Sequence, residues 1–212
     1  MVGLTGGIGA GKSAVSALLG SYGAVVVDAD LVAREVVETG SAGLASIVEE
    51  FGQEALQPDG SLDRGALGSL VFGDPAALAR LNAVLHPLIG ARTTELVEQA
   101  RAAGAEVLVH DVPLLVENGL APLYDAVVVV AASPLIQLDR LTRIRGLTEA
   151  EARARIDSQA PLSDKLAVAT HVINNGGPIR ELAPQVRRLW QELEASAKRE
   201  RDSTPGVAHP IA

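Results

Sequence analysis

Short, continuous runs of β-branched residues recur along the chain, separated by stretches whose apolar residues fall three and four apart. Val2–Thr5, Ala24–Asp28, Glu106–Asp111, Ala126–Ala131 and, more weakly, His171–Asn174 read as strands buried on both faces. Such strands alternating with helical patterns imply a parallel sheet joined by crossover helices. The expected class is α/β: five parallel strands in the middle layer of three, with helices on either side.

The first crossover is short, from Lys12 to about Leu19, before Gly20 and Gly23 interrupt it. Between Asp30 and Glu106 lies far more chain than one crossover needs. Leu44, Ile47, Val48 and Phe51 share one helical face there. Asp74-Pro75 is an N-cap followed by proline at the first helical position, leading into Leu78, Leu81 and Leu85. His86-Pro87 then reads as a junction, followed by a further helix carrying Ile89, Thr93, Leu96, Val97 and Ala100. Residues 31–103 are therefore expected to form an inserted helical lobe. A second insertion, 135–167, follows the fourth strand. Ser133-Pro134 opens a helix, Gly146 breaks it, the capping box Thr148-x-x-Glu151 opens the next, and Pro161 closes that one. The last helix, roughly Pro178 to Ala197, carries Leu182, Val186, Leu189 and Leu193 on one stripe; Pro184 inside it predicts a kink or a late start. The core is thus assigned to 1–30, 104–134 and 168–199, and the polar tail 200–212, with Pro205, Gly206 and Pro210, is expected to be disordered.

Composition narrows the function. The 212 residues are 48% hydrophobic and 21% charged, which excludes wholesale disorder. There is no cysteine, which excludes a disulfide scaffold, a thiolate zinc site and a thiol nucleophile. A net charge of −8 and 2% aromatic residues argue against nucleic acid as the main partner. No apolar run approaches the length of about 18 residues that spans a membrane. The amino terminus has no basic region followed by an apolar stretch, so a cytoplasmic protein is expected, with no membrane partner. No signature of an exposed apolar patch points to an obligate protein partner.

Gly6-Gly7-Ile8-Gly9-Ala10-Gly11-Lys12-Ser13 fits G-x-x-x-x-G-K-[ST], directly after a strand and at the opening of a helix. Glycines let successive N–H groups turn inward as an anion nest. The helix beginning at Lys12 adds unsatisfied N–H groups and the positive end of its dipole. Lys12 suits the β- and γ-phosphates, and the Ser13 hydroxyl suits Mg²⁺. A dinucleotide fingerprint is excluded, because the position that would need its third glycine holds Lys12.

Three further features choose among nucleotide-binding classes. Asp28-Ala29-Asp30 ends the second strand, and in a parallel sheet the carboxyl ends of strands face the ligand crevice. If the strand continues, both carboxylates lie on one side, one to take a proton from an attacking hydroxyl and the other to position it or Mg²⁺. An N-cap role for the helix at Leu31 competes for either residue singly. Asp139–Arg155 gathers Arg140, Arg143, Arg145, Arg153 and Arg155, a cluster that could close over ATP as a lid; Arg140 is the best placed, and Arg153 and Arg155 are expected to split, one inward. Neither Asn-Lys-x-Asp nor a third-strand Asp-x-x-Gly occurs, which disfavours a GTPase. Val107–Asp111 has the form of a Walker B strand, with His110 directed away as a packing residue.

With these pieces placed, the chain resembles the dephospho-coenzyme A kinase family from Val2 to about Trp190. The resemblance rests on Gly3–Ser13, Val27–Asp30 with Ala33–Val37, Asp59–Arg64, Leu85–Ile89, Asp111–Glu117 and Val172–Asn175. It implies a P-loop core with a helical acceptor-binding lobe and a helical lid. It implies transfer of the γ-phosphate of ATP to the ribose 3′-hydroxyl of dephospho-coenzyme A, with Mg²⁺. By the same resemblance, Asp30 is the favoured base with Asp28 nearby. Gly7, Ile8, Gly9, Ala10, Gly11, Lys12, Ser13, Ala14, Arg140 and Asn175 hold the nucleotide, Asn175 beside the adenine. Arg64, His86, Pro113, Leu114, Leu115 and Glu117 hold the acceptor. The chain departs from the family pattern at Ala14, at Thr170 and Asn174 in place of aspartates, and in the lid, where Arg143 and Arg145 compete for one role. A P-loop kinase of another acceptor, such as a nucleoside monophosphate, and an ATP-gated switch without catalysis are the alternatives. Paired carboxylates with an arginine lid separate a kinase from a switch, which needs neither.

Overall fold

The structure is a computed structural model describing residues 1–203. The strands are β1 (Val2–Gly6), β2 (Val25–Asp28), β3 (Leu108–Asp111), β4 (Ala126–Ala131) and β5 (His171–Asn174). The helices are α1 (Lys12–Tyr22), α2 (Ala29–Glu35), α3 (Ala42–Phe51), α4 (Arg64–Val71), α5 (Pro75–Ala102), α6 (Pro134–Arg143), α7 (Glu149–Asp157), α8 (Leu162–Ala167) and α9 (Leu182–Ser203). The chain divides into two compact units, one comprising Met1–Val26 and the chain from Ala100 onward, the other Val27–Gln99. The 135–167 segment belongs to the first.

The sheet is all-parallel and five-stranded in the order β2-β3-β1-β4-β5; the first unit holds it except for the end of β2, Val27 and Asp28, which belong to the second. Val2 lies opposite Val109 on one side and Ala126 on the other. Central β1 is buried at every residue, and Val127–Val130 of β4 are buried throughout. Both faces are therefore covered, which is why these strands read as unbroken apolar runs rather than as alternating ones. Leu4, Val15, Leu19, Val128, Val186 and Leu189 lie in one cluster that joins the sheet to α1 and α9. A Cβ on Gly3 would come within 2.8 Å of Leu115 and Tyr124, so glycine is what lets these side chains close over β1.

The five strands and the apolar stripe of α9 lie where the hydrophobic pattern put them. Pro184 falls in the first turn of α9, after a 3₁₀ turn at Ile179–Glu181, so the helix starts late. It also runs on to Ser203, so residues 200–203 of the expected tail are helical and the remainder lies outside the described residues. Pro161 does not simply close a helix. It is the N-cap of α8, which the sequence pattern did not mark.

In the second unit Val37, Ile47, Ala55, Leu67 and Leu81 form a separate small core. Ser41 caps α3 and Asp74 caps α5, the latter accepting from the Ala76 and Ala77 N–H groups at 2.9 and 3.0 Å. The expected junction at His86-Pro87 is not there: α5 runs unbroken through Pro87. Proline removes one hydrogen bond, to the Ala83 carbonyl, and the rest of a 28-residue helix absorbs it. Short α4 was not anticipated; Asp63 caps it by accepting from the Ala66 N–H at 2.8 Å.

Leu4→Ala should cost about 3 kcal/mol, since Leu4 is wholly buried in the central strand. Leu114→Ala, at a position 42% exposed, should stay within about 0.5 kcal/mol of the parent. Urea unfolding of both variants checks the contrast.

Candidate active site

β1 ends at Gly6 and delivers the chain into the glycine-rich loop. The Ala10 N–H donates to the Gly7 carbonyl at 2.9 Å, closing a four-residue turn. Gly9 at φ 75° and Gly11 at φ 92° are in the left-handed region, which side chains rarely adopt. Gly11 caps α1, and no acidic residue or capping side chain occupies its first turn. Apart from that of Ala14, which donates to the Gly11 carbonyl at 3.1 Å, the first N–H groups of α1 meet no capping side chain and suit an anion. Lys12 Nζ pairs with Asp111 Oδ1 at the end of β3, and Asp111 is only 2% exposed. His110, next to it, bonds the Tyr124 hydroxyl through Nδ1 at 2.9 Å, the packing role expected of it; burial pushes the Tyr124 phenol up.

The loop's other face is held from outside. Arg140 Nη1 donates to the Gly9 and Ala10 carbonyls at 3.2 and 3.1 Å, and Nη2 to the Asn175 carbonyl at 2.7 Å. Asn175, 5% exposed, donates from Nδ2 to the Ala10 carbonyl at 2.8 Å. Both residues are therefore drawn together at the P-loop, through its backbone carbonyls. A Cβ on Gly7 would stand 2.1 Å from Gln137 Nε2, and one on Gly11 2.2 Å from Asn175 Nδ2. A side chain at either position would have to displace the amide, and at Gly11 the positive φ favours glycine as well. Ile8 N–H donates to Gln159 Oε1 at 2.7 Å. A cavity of about 350 Å³, lined by Gly7, Gln137, Gln159 and Lys165 among others, lies beside the loop.

The Pro113–Glu117 turn divides its residues. The Pro113 carbonyl accepts from the Thr5 hydroxyl at 3.1 Å and Leu115 is wholly buried, leaving Leu114 exposed. Glu117 Oε1 accepts from Lys165 Nζ at 2.5 Å and from the Ala160 N–H at 2.9 Å. Burial pushes the Glu117 carboxyl up, but its hydrogen bonds to Lys165, to its own N–H and to Ala160, with the Lys165 charge, outweigh this and hold it below the ordinary range. Lys165 is 1% exposed. Gln137, Gln159 and Lys165 were not singled out from the sequence, since a glutamine or a lysine between apolar neighbours carries no mark of its tertiary partner.

Among the arginines of the 135–167 segment, Arg143 pairs with Asp139 at 2.7 Å and Arg153 with Glu149 at 2.7 Å, both on solvent-facing surfaces. Arg145 is exposed, and so is Arg155. The expected inward member of the pair Arg153 and Arg155 is absent: Ala152 is what α7 buries. Thr170, at a position where the family favours aspartate, accepts from the Val127 N–H at 2.9 Å and donates to the Val127 carbonyl at 3.1 Å. An aspartate could not make both bonds.

In the second unit, β2 does not continue past Asp28. The Asp28 carboxylate caps α2, accepting from the Asp30 and Leu31 N–H groups at 2.8 and 3.1 Å. Asp30 lies exposed in the first helical turn, and its carboxylate accepts no hydrogen bond among the described residues. Arg64 opens α4 and His86 lies midway along α5, both exposed.

For a divalent cation the first unit offers the exposed Ser13 hydroxyl and the Asp111 carboxylate, both hard oxygen donors. Among the described residues, no group of three or more acidic or histidine side chains forms a metal cage. That donor set fits Mg²⁺, which takes few protein ligands and completes its shell with phosphates and water. No helix among the described residues is long and apolar enough to cross a membrane.

A parallel sheet with a glycine-rich loop between β1 and α1, backed by lysine and serine, defines a P-loop kinase fold. The crystal structure of TT1252 from Thermus thermophilus superposes with a TM-score of 0.79 at 33% identity, covering 91% of this chain and 96% of that one. Dephospho-CoA kinase from Campylobacter jejuni gives 0.69 at 26% identity, with 92% and 97% covered. The family model for dephospho-CoA kinase matches residues 1–181. Curated relatives named dephospho-CoA kinase include one from Streptomyces avermitilis, 62% identical over 91% of this chain and 93% of its own length. One from Thermobifida fusca is 51% identical, over 91% and 96%. The chain belongs to the dephospho-CoA kinase family.

A glutamate held below its ordinary value of about 4.5 contributes stability above that value and loses it as the pH falls through the lowered one. The stability gap between the parent and Glu117→Gln should therefore be full at about pH 7 and close progressively below about pH 4.5, in urea unfolding at a series of pH values. A gap that persists unchanged into acid would remove the Glu117 charge from the account.

Proposed function

We propose that this enzyme transfers the γ-phosphoryl group of ATP to the ribose 3′-hydroxyl of dephospho-CoA, giving CoA and ADP, in the cytoplasm. The match of residues 1–181 to the dephospho-CoA kinase family carries this reading. The loop from Gly7 to Ala14 cradles the phosphates through the N–H groups not already taken up by the Ile8, Ala10 and Ala14 bonds, and Lys12 exchanges Asp111 for phosphate oxygen as charge builds in transfer. Ser13 would hold Mg²⁺, which would supply neutralisation of phosphate charge. Arg140 acts on the nucleotide chiefly through the loop, because both terminal nitrogens already serve the Gly9, Ala10 and Asn175 carbonyls. Asn175 flanks the adenine and holds the same loop.

Asp30 is the general base. Its carboxylate accepts no protein hydrogen bond among the described residues, whereas that of Asp28 is committed to two helix N–H groups. Arg64 and His86, both exposed, are read as acceptor contacts of the second unit, and Pro113, Leu114, Leu115 and Glu117 as acceptor contacts of the first. Of the last four, Leu114 is the side chain presented to solvent for contact, while Leu115 and Glu117 fix the turn.

A coupled ADP-release assay with MgATP tests the substrate. Release stimulated by dephospho-CoA, but not by AMP, CMP or adenosine, is the expected result; stimulation by a monophosphate alone would overturn the acceptor. Asp30→Asn should lower kcat by about a hundredfold or more while ATP affinity changes less than about threefold. Unaltered turnover would move the base elsewhere. Lys12→Ala should weaken both nucleotide binding and turnover, each by about tenfold or more.

A further inference from the structure

We infer that Gln159 is a positioning residue for phosphoryl transfer, setting the crest of the P-loop through its amide oxygen on the Ile8 N–H. The inference rests on the kinase reading above. Ile8 is the second residue of the turn closed by the Ala10 N–H on the Gly7 carbonyl, and Gly9 follows at φ 75°, the shape of a type II turn. Arg140 and Asn175 hold the descending half of that turn by the Gly9 and Ala10 carbonyls. At the crest, the bond recorded for the Ile8 N–H among the described residues is the 2.7 Å contact to Gln159 Oε1. It fixes the plane of the Gly7–Ile8 peptide, and with it the orientation in which the next amides present themselves to phosphate.

Gln159 is itself held in place. Ser158 and Gln159 bond back to the Ala154 and Ile156 carbonyls at 3.1 and 3.2 Å. The next residue, Ala160, gives its N–H to Glu117, which also takes the nearly buried Lys165 ammonium. Pro161 then starts α8. Every residue from 158 to 161 is therefore fixed by backbone bonding or helix capping, and the glutamine stands on a rigid base. A side chain so supported orients what it touches. Nucleotide affinity has other sources, namely Lys12, the uncapped α1 terminus and the Arg140 and Asn175 bonds. Loss of Gln159 should therefore fall on the rate rather than on binding.

The test is Gln159→Leu, which keeps the bulk and removes the acceptor, together with Ile8→Pro. Proline suits the second position of a type II turn and removes the N–H without a change of turn. In the coupled assay with MgATP and dephospho-CoA, Q159L should lower kcat about tenfold, the value of one well-placed hydrogen bond, while ADP affinity by calorimetry stays within about twofold. I8P should show a loss of similar size, and the double variant no more than either alone, because both remove one interaction. Unchanged kcat in Q159L, parallel loss of kcat and ADP affinity, or losses that multiply to about a hundredfold in the double variant would each overturn the inference. Q159L decides alone if I8P fails to bind ADP. Absence of transfer by the parent enzyme overturns the kinase reading and this inference with it, whereas parental transfer with an unaffected Q159L sinks the inference only.

Discussion

A loop that turns its N–H groups toward a phosphate must turn carbonyls the other way, and those carbonyls need donors. In this chain the requirement is acute, because the loop is made of glycine, alanine and one isoleucine and has no polar side chain of its own before Lys12. Everything that fixes it comes from elsewhere. Arg140 and Asn175 supply donors to Gly9 and Ala10, Gln137 packs against Gly7, and Gln159 accepts from Ile8. An anion site built of backbone is therefore only as rigid as the side chains behind it. The segment that follows β4 does two jobs: it carries a cluster of arginines, and its Gln137, Arg140 and Gln159 stand behind the phosphate loop.

The buried pair of Lys165 and Glu117 belongs to the same structure. A buried ion pair is seldom a net source of stability, since desolvation opposes the attraction, but it is highly specific about geometry. Here it joins the turn after β3 to α8, and the N–H of Ala160, just before that helix, completes the carboxylate's bonding. A hydrophobic pair of equal volume would pack, yet it would not fix the 158–161 segment at one height. The tie gives the Glu117 charge a partner of its own in Lys165.

The carboxylates after β2 show how one local rule separates two residues of the same type. A helix needs acceptors for its first N–H groups, and Asp28 meets that need from the last position of the strand. Asp30, already inside the helix, is excluded from capping and remains available for chemistry. The spacing of the two residues alone left their roles open, because it depended on whether the strand continued. It stops at Asp28.

Much was legible in the chain by itself. The runs of β1, β3 and β4 became strands that are largely buried on both faces, whereas β2 and β5, expected to be buried in the same way, lie at the sheet edges and are partly exposed, Val25 and Val172 among them. The glycine, lysine and serine spacing located the phosphate loop, since conformational freedom and charge at those positions are local properties. Capping residues such as Asp74 and Thr148 marked their helices for the same reason. What the chain could not reveal are the contacts that close through space. Pro87 reads as a break until a long helix absorbs it, and nothing in the sequence marks Arg140 for the Gly9, Ala10 and Asn175 carbonyls that its guanidinium meets. Gln159 is 151 residues from Ile8, and Lys165 is 48 from Glu117. Residue type and periodicity encode which elements form and which groups are able to do chemistry. Only packing decides which donor meets which acceptor, because a hydrogen bond depends on a few tenths of an ångström between parts of the chain that sequence does not bring together.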